Sequence, residues 1–255
     1  MLLCTDDTSS DTSRMDGTHY DQIYEGESTH WWYRVRRLMV HDLLARYFPE
    51  RHDLHILDVG CGMGLLLTEL RAYGKVEGVD VSPKSIEFCR QRGIQNVQVS
   101  AAETLPFANN SFDVVLALDV IEHVPDDSAV LREIHRVLKP GGVVVIFVPA
   151  FMFLWGITDV LSQHYRRYTR PQLVAVAQAQ KFSVVRTSYF NTFLFPLIAT
   201  IRIVVRLLHM KVQSENDMGS PLINRILFKI FYLESRVLRF VSFPFGISVM
   251  LIGRK

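Results

Sequence analysis

Between residues 55 and 148 five short apolar runs (55–59, 76–79, 97–100, 114–118 and 143–148) are separated by helical spacing near 65–73, 83–92 and 128–138. Short runs rich in Val, Leu and Ile read as strands buried on both faces. Strands that alternate with helices build a mostly parallel sheet wound with right-handed crossovers. The expected fold class is therefore α/β and doubly wound. Lys139-Pro140-Gly141-Gly142 reads as a stop and turn before the fifth strand. A helix from Pro171 to about Gln180, a strand over 182–189 and a final strand over 247–252 continue the rhythm.

Upstream, Trp32, Val35, Leu38, Met39, Leu43 and Leu44 recur at helical steps, which predicts an amphipathic helix over 31–48 with Arg34, Arg36 and Arg37 near its start. Residues 1–18 are polar and are expected to form a disordered tail, leaving 19–255 as a single domain. The first residues do not read as a signal peptide. Cys4, Cys61 and Cys89 are odd in number and lack zinc or CxxC spacing, so free thiols and a cytoplasmic setting are expected. A net charge of +2 without a basic block argues against a nucleic-acid partner.

Behind the first strand stands ILDVGCGMG, residues 56–64. Glycines between a strand and a helix let the backbone turn tightly and approach a ligand at the helix N-terminus. The nicotinamide fingerprint is G-x-G-x-x-G, whereas this loop is G-x-G-x-G, with Asp58 two residues before the first glycine. A carboxylate there repels a pyrophosphate and suits a cation. Asp80, at the end of the second strand, is placed to accept from a ribose diol. Ribose, amino group and positive charge without phosphate describe S-adenosylmethionine.

LDVGCGMG, GVDVSP, AAETLPFANNSFDVV, ALDVIEHV and LKPGG follow one another in the order found in class I S-adenosylmethionine-dependent methyltransferases, which the chain resembles over residues 55–150. Residues 19–50 and 150–189 resemble a subgroup with HWW and HYRRYT segments. The resemblance implies a Rossmann-like, seven-stranded sheet whose last strand is antiparallel, with the cofactor across the carboxyl ends of strands one to four. It further implies that Gly60, Cys61, Gly62 and Gly64 wrap the methionine part, Asp58 faces its amino group, Asp80 binds the ribose and Val81 flanks the adenine. Fuller members have Asp where this chain has Ala101, so Ala102 and Glu103 are left to meet the adenine. Asp119 and Val120 follow the fourth strand where the methyl group is expected, and Trp32, Tyr33 or Arg37 would close the site from the N-terminal helix.

A hydroxyl acceptor needs a base. His123, just past Asp119, is the leading candidate, and SQHYRRYT supplies His164 and Tyr165 as further ones. Arg166 and Arg167 either pair with an acidic acceptor or with acidic residues of the fold. Scattered histidines without HxxxH spacing give no expectation of a metal.

Residues 190–245 form an apolar helical insertion before the last strand. Arg202 and Arg206 interrupt 189–210 too early for a spanning helix. Over 222–240, Arg225, Lys229, Tyr232, Arg236 and Arg239 share one face, which suits packing on the sheet, a homodimer, a substrate cap or the surface of an anionic bilayer. Two functions fit the whole: methylation of a small, partly apolar acceptor (a quinol, isoprenoid, lipid-linked sugar or aromatic natural product), O-methylation favoured; or an inactive S-adenosylmethionine-binding scaffold acting through the insertion.

Overall fold

The computed structural model describes residue 24, residues 26–207 and residues 220–255, so the expected tail at 1–18 lies outside the described residues. Seven strands form one sheet: β1 (Leu54–Val59), β2 (Gly74–Asp80), β3 (Val97–Val99), β4 (Phe112–Leu118), β5 (Leu138–Pro149), β6 (Ser183–Phe190) and β7 (Ser248–Arg254). Their order is β3-β2-β1-β4-β5-β7-β6; the pairs among the first five are parallel, and β7 runs antiparallel to both β5 and β6. The order reverses between β1 and β4, and sheets of this kind bind their ligands in the crevice outside the carboxyl ends of the strands at such a reversal.

The central strands are apolar throughout because both faces are covered. Ile56, Val114, Leu116, Val145 and Phe147 fill one core, while Leu57, Val59, Val115, Ala117, Val144 and Ile146 fill the other, as the two-residue side-chain period requires. The first core is closed by α1 (Trp31–Tyr47), α2 (Leu65–Leu70) and α3 (Pro83–Gln91), through Val35, Met39, Leu67, Leu70 and Ile86. The second is closed by α4 (Asp127–Val137) and α6 (Arg170–Ala179), through Leu131, Ile134, Leu173 and Ala177. Between them lies the short α5 (Ile157–Leu161).

Two sequence expectations are corrected. The helix expected near 65–73 ends at Leu70 and tightens into a 3₁₀ turn over Arg71–Tyr73. Lys139-Pro140-Gly141-Gly142 is part of β5 and not a free turn: Gly141, at φ +77°, bends the strand, the β4–β5 register shifts there, and the Gly141 N–H donates to the Lys255 carbonyl at 3.0 Å. The Pro and glycines are thus used for a strand irregularity that local turn signals cannot separate from a turn.

The insertion supplies α7 (Phe195–Leu207) and α8 (Pro221–Leu238). Phe231 of α8 is fully buried, stacked on Trp32 with centroids 5.5 Å apart and edge-on to Trp31 at 5.7 Å. Asn224 of α8 accepts from the Trp31 N–H at 2.8 Å and donates to the Thr29 carbonyl at 2.9 Å, satisfying groups at the start of α1. One face of α8 is therefore core, and its job is to hold α1 on the sheet. Its other face is open, with Leu222 66% and Leu233 59% exposed.

Phe231→Ala is expected to lower unfolding stability by about 3–5 kcal/mol, as for a buried aromatic, whereas Leu222→Ala changes it by less than about 0.5 kcal/mol. Urea unfolding of both variants measures the difference; equal, small losses would show that α8 does not belong to the core.

Candidate functional site

The carboxyl ends of β1, β2 and β4 bring the sequence candidates together. Beyond β1 the chain rises through Gly60, Gly62 and Gly64, all at positive φ. At Gly62, φ is +53° and a Cβ would meet only the Glu27 Oε1, 3.9 Å away, so glycine serves the backbone turn and leaves room above it. The loop is pinned from β2: the Gly62 N–H donates to Asp80 Oδ2 at 2.9 Å and the Ser82 N–H donates to Oδ1 at 2.8 Å. Val81, next along, is 72% exposed, whereas Ala102 is buried and Glu103 half-buried across the crevice edge. Cys61 is buried, and its thiol is pushed up by its contact with Cys89 and by burial.

Charge is concentrated here. Asp58 is buried, and burial, reinforced by the negative charges of Asp80 and Glu27, pushes its carboxyl up to about 8. Glu27, from the segment preceding α1, is likewise pushed up to about 7 by burial, against the pull of Arg92, whose guanidinium lies 3.0 Å from Oε2. Facing this acidic group is Arg36, only 8% exposed, which pairs with Asp119 and lies over the Trp32 and Phe147 rings at 5.2 and 5.5 Å. Its Nε and second terminal nitrogen have no hydrogen-bond partner among the described residues. A buried guanidinium with two nitrogens unpartnered among the described residues therefore lies beside a carboxyl that resists ionising.

Other candidates have different places. Arg37 is spent on Glu69, at 3.0 Å, and on the Glu27 carbonyl, so the guanidinium open to the site is its neighbour's. Trp32 is packed against Phe190 and Phe231 and meets the site through Arg36. Sequence reading passed over Arg36; the available signal was a cation at helical spacing from Trp32 and Met39, on the face that must be buried. Asp119, at φ +58°, turns the chain out of β4, and Val120 is buried beside it, its Cγ2 filling the space a Gly60 side chain would take.

Beyond Asp119 the His123 and His164 rings meet edge to face with centroids 4.5 Å apart. Desolvation by its surroundings and the neighbouring His164 hold His123 below its ordinary value. The Tyr165 side chain is exposed, and its backbone N–H donates to the Glu122 carbonyl at 2.7 Å, tying the two segments together. Arg166 and Arg167 pair with Asp127 (3.1 Å) and Asp159 (2.7 Å), which settles the sequence alternative in favour of acidic residues of the fold.

Residues 57–146 match the family model described as a methyltransferase domain. A ubiquinone biosynthesis O-methyltransferase of Xanthomonas oryzae is 38% identical over 106 residues, 38% of this chain and 44% of that one. The sterol 4-C-methyltransferase of Caenorhabditis elegans is 29% identical over 116 residues, 42% of this chain and 35% of that one. The matched segment thus spans less than half of either relative's length. A candidate sarcosine dimethylglycine methyltransferase of Galdieria sulphuraria has the same fold, with a TM-score of 0.62 at 19% identity over 93% of this chain and 97% of that one. Motif order, strand order and the family match at the glycine loop together identify residues 57–146 as a methyltransferase domain of the class I S-adenosylmethionine-dependent type.

Proposed function

We propose that the protein transfers the methyl group of S-adenosylmethionine to a hydroxyl of a small, partly apolar acceptor. The observation that carries this reading is that the buried Asp58 carboxyl, beyond which the glycine loop begins, shares its site with the buried Arg36, two of whose nitrogens have no partner among the described residues. Asp58 takes the ligand's ammonium and Arg36 its carboxylate. Gly60, Cys61, Gly62 and Gly64 surround the methionine part, with Asp119 and Val120 closing it from β4. Asp80, already oriented by the Gly62 and Ser82 amides, keeps acceptor capacity for the ribose, and Val81, Ala102 and Glu103 bound the adenine. The sulfonium supplies the electrophile, and alignment supplies much of the rate. His123, just beyond Asp119, takes the hydroxyl proton as the new O–C bond forms and the S–C bond breaks.

The apolar character of the acceptor rests on two supports: relatives named for ubiquinone and sterol chemistry, and the insertion. Exposed Leu197, Ile201, Leu222, Ile226 and Leu233 stand on α7 and α8 with Arg206, Arg225, Lys229 and Arg236 among them. Such a mixture fits the surface of an anionic bilayer, where apolar acceptors partition. Among the described residues no helix is long and apolar enough to cross a membrane.

Two variants separate binding from chemistry. Arg36→Met is expected to weaken S-adenosylmethionine binding by about 1–3 kcal/mol. His123→Ala is expected to keep cofactor affinity and melting temperature while turnover falls by roughly 10²- to 10⁴-fold. Calorimetric titration and a product assay read both. Normal turnover in His123→Ala would remove it as the base, and cofactor binding without turnover on any apolar hydroxyl acceptor would favour an inactive scaffold.

On vesicles of phosphatidylcholine with and without phosphatidylglycerol, flotation should recover the protein only with the anionic lipid, and less of it at high salt. Failure to float with either composition would return α7 and α8 to a purely structural or dimeric role.

A further inference from the structure

Glu122 is fully buried, and among the described residues neither oxygen of its carboxyl has a hydrogen-bond partner. A buried carboxyl without a partner is costly, so the group points to a missing counterpart. Around it stand His123 and His164, one candidate ligand atom from each of the three lying within 4.8 Å of one another. We propose that Glu122, His123 and His164 bind a first-row divalent cation of the zinc type at the acceptor side of the methyl-transfer site.

Three features support a built site. His164 Nδ1 is tied to Asp159 Oδ1 at 2.8 Å, and Asp159 is itself held by Arg167 at 2.7 and 2.8 Å and by the Gly156 N–H at 2.7 Å. That carboxylate–histidine link fixes the tautomer and leaves the Nε2 lone pair for an ion, as is usual for histidine ligands. His123 has a contact of its own, a hydrogen bond between its ring and the Ser162 backbone. The donor set, two imidazoles and one carboxylate, leaves open coordination positions and suits zinc or ferrous iron over magnesium or calcium. Two ligand atoms at about 2.1 Å from one ion stand no more than about 4.2 Å apart, so small side-chain rotations are enough to close the observed spacing.

The sequence held no such signal because its usual cues are short-range. Glu122 and His123 are adjacent and His164 is distant; the Tyr165 amide, bonded to the Glu122 carbonyl, brings the segments together. The ion's task rests on the methyl-transfer reading: held by these three ligands, it would lower the pKa of an acceptor hydroxyl so that the proton leaves to solvent water before transfer, whereas His123 takes that proton only when no ion is held.

The test uses the full chain, stripped with a chelator and desalted. Zn²⁺ uptake is measured by competition with a chromophoric chelator, and Co²⁺ uptake by its visible spectrum. The expected result is one ion per chain, Co²⁺ bands without the thiolate absorption that a cysteine would give, and binding weakened more than about tenfold in His164→Ala and in Glu122→Gln. His52→Ala, in an exposed loop, should bind as the natural chain does. Should Glu122→Gln fail its thermal melt, His164→Ala and His123→Ala decide. No stoichiometric uptake, a thiolate band, or undiminished uptake in His164→Ala would overturn the site. S-adenosylmethionine titration together with the product assay, both run without metal, tests the methyl-transfer reading separately: intact cofactor binding and turnover without metal uptake remove only the ion.

Discussion

Three carboxyl groups, those of Asp58, Asp80 and Glu27, are drawn together around one partly dry crevice, and burial raises all three above their ordinary values. They cannot all ionise there without a compensating charge. The rest of the structure either enforces that convergence or answers it. The order reversal between β1 and β4 marks the crevice, the Asp80 carboxylate fastens the glycine loop across it, and the Arg36–Asp119 pair brings the opposing charge from α1. Carboxyl groups held together in one cleft at a cost in stability fit the cationic ligand proposed for it.

That arrangement requires α1 to stay seated, and α1 depends on the insertion. Trp31 and Trp32 are locked by Phe231, and the start of the helix is satisfied by Asn224. The Arg239–Asp42 and Arg46–Arg239 contacts join the far ends of the same two helices. The insertion before the last strand therefore reaches the cofactor site mechanically, through Trp32 to Arg36, while its opposite face stays open to an apolar surface. One helix thereby links the site to the surface proposed for membrane contact.

What the sequence made legible follows from the range of the signals. The strands were visible because a doubly covered strand is apolar at every position, and Val114–Ala117 and Val143–Val148 are buried on both faces as such runs require. The glycine loop and Asp80 were visible because backbone geometry and ligand chemistry restrict residue types there. Arg36 was not, since it stands among three arginines of one helix and only packing decides which is buried. Glu27, the Asp159 network and the Glu122 cluster escaped for a related reason: their meaning arises from partners far away in sequence, such as Arg92 for Glu27 and His164 for Glu122. Lys139-Pro140-Gly141-Gly142 misled because a bent strand and a turn call for the same residues.

The most direct measurement is the proton count on cofactor binding. In the free protein Asp58, at about 8, and part of the Glu27 population, at about 7, carry protons near pH 7. Carboxyls raised above their unfolded values make the free fold lose stability as pH climbs from the ordinary carboxylate range toward about 8. A ligand ammonium and sulfonium favour the ionised carboxylates, so binding expels the proton and affinity rises between about pH 6 and pH 8. Calorimetric titration of S-adenosylmethionine at pH 7, in two buffers of different ionisation enthalpy, should show roughly 0.9 proton released per ligand from Asp58 alone and up to about 1.4 when Glu27 ionises as well. Binding with no proton released, or with proton uptake, would contradict the account of the site as an acidic cradle for a cationic cofactor.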